Sequence, residues 1–445
     1  MVRTPEWNSR PIAPVPQSVR RTTRVFLLCH GLRWLPVGFV LPIMALVPIE
    51  RGLDLPGVGL MFAAYGVTTT LLELPTGGLA DAVGRKPVLL VATVAQTGLL
   101  LALAFGTTVW HFLAGAVLGG VGRALLSGPL ESWYVDTIRA LDPEAPLRPG
   151  LSSAGLVEGL ALATGALLSA LLPTIGAGLP VDGVLSQLTL PVYGGLFTEM
   201  ASFVAVLVLL HEPRRPQRRS FRVALRNVPT VVSGGLRLAA STRDLRLLFA
   251  AVVATSVAYL SVEVLWQPRF SALLGDASRA TQTFGYVVIG MSLGAACGAW
   301  LANRLPGALA WRAALVASSA AALSAALMGG LAAAETFAAA ATAFVGLYMI
   351  GAIRSVAESE LLHERVPASR RATMVSVQSL SQQSGGLIAS LGLTRVAAAA
   401  SIPAAWGVGA VLLVLAAALL LLVQDTRSDP RGGLVTDLAA PHSAQ

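Results

Sequence analysis

Gly77-Gly78-Leu79-Ala80-Asp81-Ala82-Val83-Gly84-Arg85-Lys86 is the stretch that decides the fold. An apolar run beginning near Gly57 leads directly into it. A long apolar helix that ends in glycine, a carboxylate, glycine and two cations reads as a helix leaving a bilayer through a tight turn. Glycine serves where the backbone bends sharply or approaches a neighbouring helix closely. The two cations point to the cytoplasmic face.

Composition agrees with that reading. Of 445 residues, 55% are hydrophobic and only 12% charged, where a soluble chain carries about 25% charged residues. Mean hydropathy is +0.70. These values predict an all-α polytopic membrane protein. The net charge is +9 and comes almost entirely from arginine, Lys86 being the single lysine. Most of the arginines fall between apolar spans, so the membrane accounts for the basic excess and no nucleic-acid partner is required. Cys29 and Cys297 both lie in apolar spans, which fits neither a disulfide framework nor zinc-type spacing. The polar, Pro-rich start lacks the apolar core and cleavage site of a signal peptide, so the first span is expected to stay as an anchor.

A spanning helix needs about 20 apolar residues, and twelve stretches qualify. They run approximately over 25–47, 57–79, 87–109, 111–135, 151–173 and 191–210, then 247–267, 281–303, 313–333, 336–361, 372–393 and 404–423. The implied organisation is a basic tail (1–24), a six-helix half (25–210), an Arg-rich linker (211–246), a second six-helix half (247–424) and a polar tail (425–445). Even-numbered connections are richer in arginine, which places both termini and the linker in the cytoplasm. Phe221, Val223, Leu225 and Val228 interleave with the linker's arginines. That pattern suits a surface-lying helix on anionic lipid, or simply a positive-inside connection.

The complete motif at 77–86, placed at the end of a second span in a chain of this length, resembles the loop between helices 2 and 3 of the major facilitator superfamily. The preceding Glu73-Leu74-Pro75-Thr76-Gly77 resembles a variant in bacterial drug-export-like members. Arg371-Ala372-Thr373 is similar to a signature of the same subgroup. The resemblance implies the major facilitator fold: twelve transmembrane helices in two six-helix halves, each an inverted pair of three-helix repeats. Internal similarity supports this, since Leu301-Ala302-Asn303 echoes Leu79-Ala80-Asp81, and Glu358-Ser359 echoes Glu131-Ser132. The resemblance also implies a gating motif of Gly77, Leu79, Asp81, Gly84, Arg85 and Lys86. In it Asp81 faces the start of helix 11 and Arg85 reaches an acid at the end of span 4, for which Asp136 is well placed. Such contacts are expected only when the cytoplasmic side is closed.

Ionisable groups inside spans are costly and point to function. Glu73, Glu158, Glu131 and Glu263 are the candidates for proton coupling, with Glu73 and Glu158 leading. By the resemblance, helices 1, 4, 7 and 10 line a central cavity, so Arg33, Arg123, Glu263 and Arg354 are candidates to face it. A static role, with an arginine neutralising a neighbouring glutamate, is the alternative. On span 11, Gln378 and Gln382 share a face and either meet substrate or bond neighbouring helices. Trp133 and Trp266 are assigned to the interfacial aromatic belt. Span 5 lacks the glycine-rich, proline-containing pattern of many drug/proton antiporters. No phosphate loop is present, no nucleophile and base make a catalytic set, and the five histidines are scattered without metal spacing. No cofactor or metal is expected.

The function expected is secondary active transport: export of small hydrophobic or amphipathic molecules in exchange for protons, by a monomer in the inner (plasma) membrane. Import of a sugar, peptide or organic anion is the alternative. A receptor or assembly factor that kept the fold and lost transport is the third reading.

Overall fold

The structure is a computed structural model. It describes residues 18–176, 178–180, 183–212, 237, 239–275, 277–305, 312–366 and 371–423, apart from the side chains of 74–78, 81, 82, 277, 278, 371–373, 375 and 376. Most of the Arg-rich linker expected at 211–246 therefore lies outside the described residues, as does the polar tail.

Apolar runs of spanning length give twelve helical passes. They are α1 (Val19–Val40), α2 (Leu55–Val83), α3 (Arg85–Phe105), α4 (Val109–Leu141), α5 (Arg148–Ile175) and α6 (Leu190–Leu209), then α7 (Arg243–Leu274), α8 (Ala277–Ala302), α9 (Ala313–Ala333), α10 (Phe337–Arg365), α11 (Arg371–Ile388) and α12 (Ile402–Leu421). Polar side chains start several of them. Asp54 accepts from the Gly57 amide at 2.8 Å, Thr242 from Leu245 and Ser401 from Ala404, each filling an amide that the first helical turn leaves open. Eleven helices among the described residues are long and apolar enough to cross a membrane. The one that falls short is α11, whose glutamines and serines lower its apolar content.

Two passes are irregular. The apolar pattern over 111–135 predicts one unbroken helix, but α4 consists of two segments, Val109–Leu126 and Pro129–Leu141. Gly128 takes a φ of +90° between them, and Pro129 cannot donate to the preceding turn. The break creates a helix start inside the membrane, and Glu131 sits in its first turn, where the helix dipole favours a carboxylate. In α11 the chain passes through a π turn at Ala389–Leu393 before resuming as Thr394–Ala399. Gly59 of α2 packs against that turn. A Cβ at Gly59 would collide with the Ser390 carbonyl and the Thr394 hydroxyl, so glycine is what allows the close approach.

The hydrophobic core is divided unequally. At the end of the bundle that carries Gln267, one continuous core joins the two halves: Ile43, Leu46, Met61 and Leu103 of the first half share it with Leu265, Trp266, Phe284, Phe344 and Trp406 of the second. At the end that carries Arg85, the buried side chains among the described residues form a separate core in each half. One holds Phe26, Leu89, Trp133 and Tyr134, and the other holds Leu248, Ala317, Leu361 and Leu420. Trp133 and Trp266 are core residues, not a belt. Trp266 lies 4.8 Å from Phe284 between ring centroids, and Trp133 donates its indole N–H to the His211 carbonyl at 3.0 Å.

Gln267 fastens the joined end. Between the 3₁₀ turn Leu41–Ile43 and the short helix Leu46–Glu50, the chain leaves backbone groups open. The Gln267 side chain, 2% exposed, fills them from the opposite half. Its Oε1 accepts from the amides of Ala45 and Leu46 at 2.8 and 2.9 Å, and its Nε2 donates to the Leu41 carbonyl at 2.9 Å.

Candidate functional site

Helix spacing places polar groups at two neighbouring centres. The first lies within the first half. His30 and Arg33 are three apart on α1 and share a face. Glu131 reaches them from the second segment of α4 and Glu158 from α5. His30 Nδ1 is 3.8 Å from Glu131 Oε1, and His30 Nε2 is 3.5 Å from Glu158 Oε2. Arg33 Nη1 is also 3.8 Å from Glu131 Oε1. None of these distances is a normal hydrogen bond, and both His30 nitrogens are buried without one. Trp34 is flanked by two guanidinium groups, Arg33 at 5.6 Å and Arg123 at 5.3 Å from its ring centroid, a cation–π arrangement. A side pocket of about 80 Å³ opens beside Arg33, with Gln96 and the buried Glu199 in its wall.

The second centre is a cavity of about 470 Å³ between the halves. Helices α1, α2, α7 and α11 line it, not the 1, 4, 7 and 10 set that the resemblance implies. Phe62, Tyr65 and Trp266 give it aromatic walls, and Glu263 supplies its carboxylate. Glu263 has no hydrogen bond or ion pair among the described residues. Leu260, Glu263 and Gln267 follow helical spacing on one face of α7. On α11 the lining residues are Gln383, Ser384, Leu387 and Ser390. Tyr65, Val37, Leu41 and Met44 border both this cavity and the side pocket.

Several sequence-based assignments change here. Arg354 is not among the cavity-lining residues. Its Nη1 lies 2.5 Å from Glu358 Oε1 one turn along α10, and the guanidinium sits 5.0 Å from the Tyr259 ring centroid. Both members of that pair are buried, so the static role is the one the geometry favours. Gln378 and Gln382 do share a face, but Gln383, about 100° further round the helix, is the one at the cavity. Arg123 lies over Trp34 and is absent from the cavity wall. Glu73 accepts from the Ser127 hydroxyl at 3.5 Å, beside the α4 break. Of the four candidate carboxylates, Glu131 and Glu158 come together, Glu263 faces the cavity and Glu73 stands at the break.

The motif turn is held within the first half. Gly84 takes a φ of +112°, and a Cβ there would come within 2.8 Å of Glu212. Glu212 accepts from the amides of Arg85 and Lys86 at 2.8 and 3.4 Å, and Lys86 Nζ donates to the Leu207 carbonyl. Arg85 Nη2 lies 2.8 Å from Asp136 Oδ2. Arg85, Lys86, Leu207 and Asp136 belong to the first half and Glu212 to the start of the linker. The Arg85–Asp136 pair expected from the resemblance is present and joins α4 to the motif turn. The side chains of Asp81 and of Arg371 and Thr373 are outside the described residues, so the expected Asp81 contact with α11 is too. Leu79 packs on the first-half core, and Gly77 lies in the α2 helix.

Sequence reasoning missed His30 and Gln267 as functional candidates. A lone histidine in an apolar span carries no spacing signal. Gln267 gave none either, because its partners are more than 200 positions away.

The family model of the Major Facilitator Superfamily matches residues 26–390. The chain belongs to that superfamily. The tetracycline resistance protein, class H, of Pasteurella multocida is 24% identical over 159 residues, 35% of this chain and 38% of that protein. Multidrug resistance protein 1 of Bacillus subtilis is 21% identical over 203 residues, 45% of this chain and 48% of that protein. The matched stretch thus spans less than half the length of either relative. The crystal structure of the nucleoside transporter NupG superposes with a TM-score of 0.71, covering 90% of this chain and 98% of that one at 12% identity. This likeness concerns the fold. As a member of that superfamily with helices of spanning length, the chain is an integral membrane protein.

Proposed function

We propose that this transporter exports small amphipathic molecules, cations above all, in exchange for protons. The cavity carries the reading: aromatic and aliphatic walls from both halves surround one carboxylate, Glu263, that has no partner among the described residues. An isolated carboxylate in apolar surroundings is costly unless compensated. A ligand cation or a proton compensates it, and only one of them fits at a time. The drug-resistance relatives support the direction of transport.

The arginine bias supports placing the Arg85 end and both termini in the cytoplasm of a cell's inner membrane. On that orientation the shared core lies on the outer side and, among the described residues, each half keeps its own core on the inner side, which supports a cavity reached from the supply of an exported compound. Import of an anion has less support. Arg354 is committed to Glu358, and Arg33 stands beside Glu131.

The test uses proteoliposomes with ethidium as a fluorescent lipophilic cation. An imposed proton gradient should drive ethidium movement, and Glu263→Gln should slow it at least about tenfold, equivalent to roughly 1.4 kcal/mol, without lowering the melting temperature. If the gradient moves neither ethidium nor any other member of a lipophilic-cation panel, the reading fails.

A further inference from the structure

We propose that His30, held between Glu131 and Glu158, is a second proton-binding site of the transport cycle, separate from the cavity in which ligand and proton compete for Glu263. The inference rests on the proton-exchange reading above.

The ring stands between two carboxylates, one facing each nitrogen, at 3.8 and 3.5 Å. A neutral imidazole has one N–H and one lone pair, so it satisfies one carboxylate and repels the other. An imidazolium donates to both. The site is complete only when protonated.

Charge points the same way. The groups around His30 are Arg33 on its own helix, Glu131 on α4, Glu158 on α5, and further out Arg123 over Trp34 and Glu199 of α6 beside Arg33. Of these, Glu131 and Glu158 stand nearest the ring, so the positive charge that a proton adds there falls between two carboxylates. Both ring nitrogens are buried and lack a hydrogen bond, so the clamp stands open by less than about 1 Å beyond bonding distance. Glu131 and Glu158 have side chains about a third exposed, against 6% for His30. These carboxylates can pass a proton to the buried ring.

The position suits coupling. His30 and its partners lie in the first half, whereas Glu263 enters the cavity from the second. Arg33 borders the side pocket, and Tyr65 borders both the side pocket and the cavity. A change of charge at His30 therefore acts on the ligand cavity through Arg33 and Tyr65, without the proton and the ligand sharing an atom.

Histidine-selective isotope labelling and NMR of the purified protein test this, first without ligand and then with ethidium as the probe. One ring signal, absent from His30→Gln, should titrate between about pH 5 and 8. Ethidium should move its midpoint by about one pH unit, a coupling of about tenfold, and Glu131→Gln and Glu158→Gln should each move it as well. Where His30→Gln fails to fold, the response to both glutamine variants assigns the signal. A His30 ring that does not titrate in this window, or whose midpoint ignores both variants or bound ethidium, overturns the proposal. If the ring titrates and responds to the variants while ethidium fluorescence shows no binding, the cation-export reading fails and the proton site stands.

Discussion

Replacing Gln267 by alanine should release the joined end of the bundle. The side chain makes three hydrogen bonds to Leu41, Ala45 and Leu46 across the two halves. At about 0.5–1.5 kcal/mol each, they contribute roughly 2–4 kcal/mol. That energy belongs to the joined state alone, because once the halves part at this end the same backbone groups meet water. The equilibrium between joined and parted states should therefore move by about 30- to 900-fold. The assay is maleimide labelling of Met44→Cys, a cavity residue near this end, after the free Cys29 and Cys297 are replaced by alanine. An impermeant reagent applied from the Gln267 side should label the Gln267→Ala protein faster, up to the limit of the reagent itself. Gln267→Met keeps the volume and loses all three bonds, so it should behave alike. Labelling within about twofold of the parent, together with a lowered melting temperature, would show that Gln267 adds stability to both states equally, and the argument would fail.

Two further substitutions separate packing from charge. Gly59→Ala places a methyl group against the Ser390 carbonyl and the Thr394 hydroxyl. The overpacking should cost about 1–3 kcal/mol, read as a lower melting temperature in detergent and as faster labelling at Met44→Cys. Glu358→Gln leaves the Arg354 guanidinium buried without its counter-charge. Breaking a buried pair costs about 3–5 kcal/mol, whereas Arg354→Met combined with Glu358→Leu should recover most of the loss. A Glu358→Gln protein that melts with the parent would show the pair to be dispensable.

The passes were legible in the sequence because a bilayer demands a length of apolar chain that little else explains. The turn at Gly84 and Arg85 was legible because glycine permits a sharp bend and cations gather at the cytoplasmic ends of spans. Contacts between distant segments left no such trace. Gln267 reads as an ordinary polar residue until Leu41 and Ala45 are set beside it. His30 gains meaning only when α4 and α5 bring their glutamates to it. Two signals were present and went unread. Gly128-Pro129 inside an apolar run marks a break, and Arg354 with Glu358 at a spacing of four marks a pair on one helix face. That spacing supplies Glu358 with a partner, which its likeness to Glu131 in the Glu-Ser dipeptide does not.

The π turn in α11 ties the identity of residue 59 to the length of a distant segment. Such a turn holds one residue more than regular helix would. Deleting a single residue within Ala389–Leu393 would restore the ordinary repeat and draw the bulging turn back toward the helix axis. The Ser390 carbonyl and the Thr394 hydroxyl would then withdraw from Gly59, and a larger side chain would fit there. In proteins descended from a common ancestor with this one, loss of that extra residue and replacement of the glycine should occur together, so a gap in one helix forecasts bulk in the other.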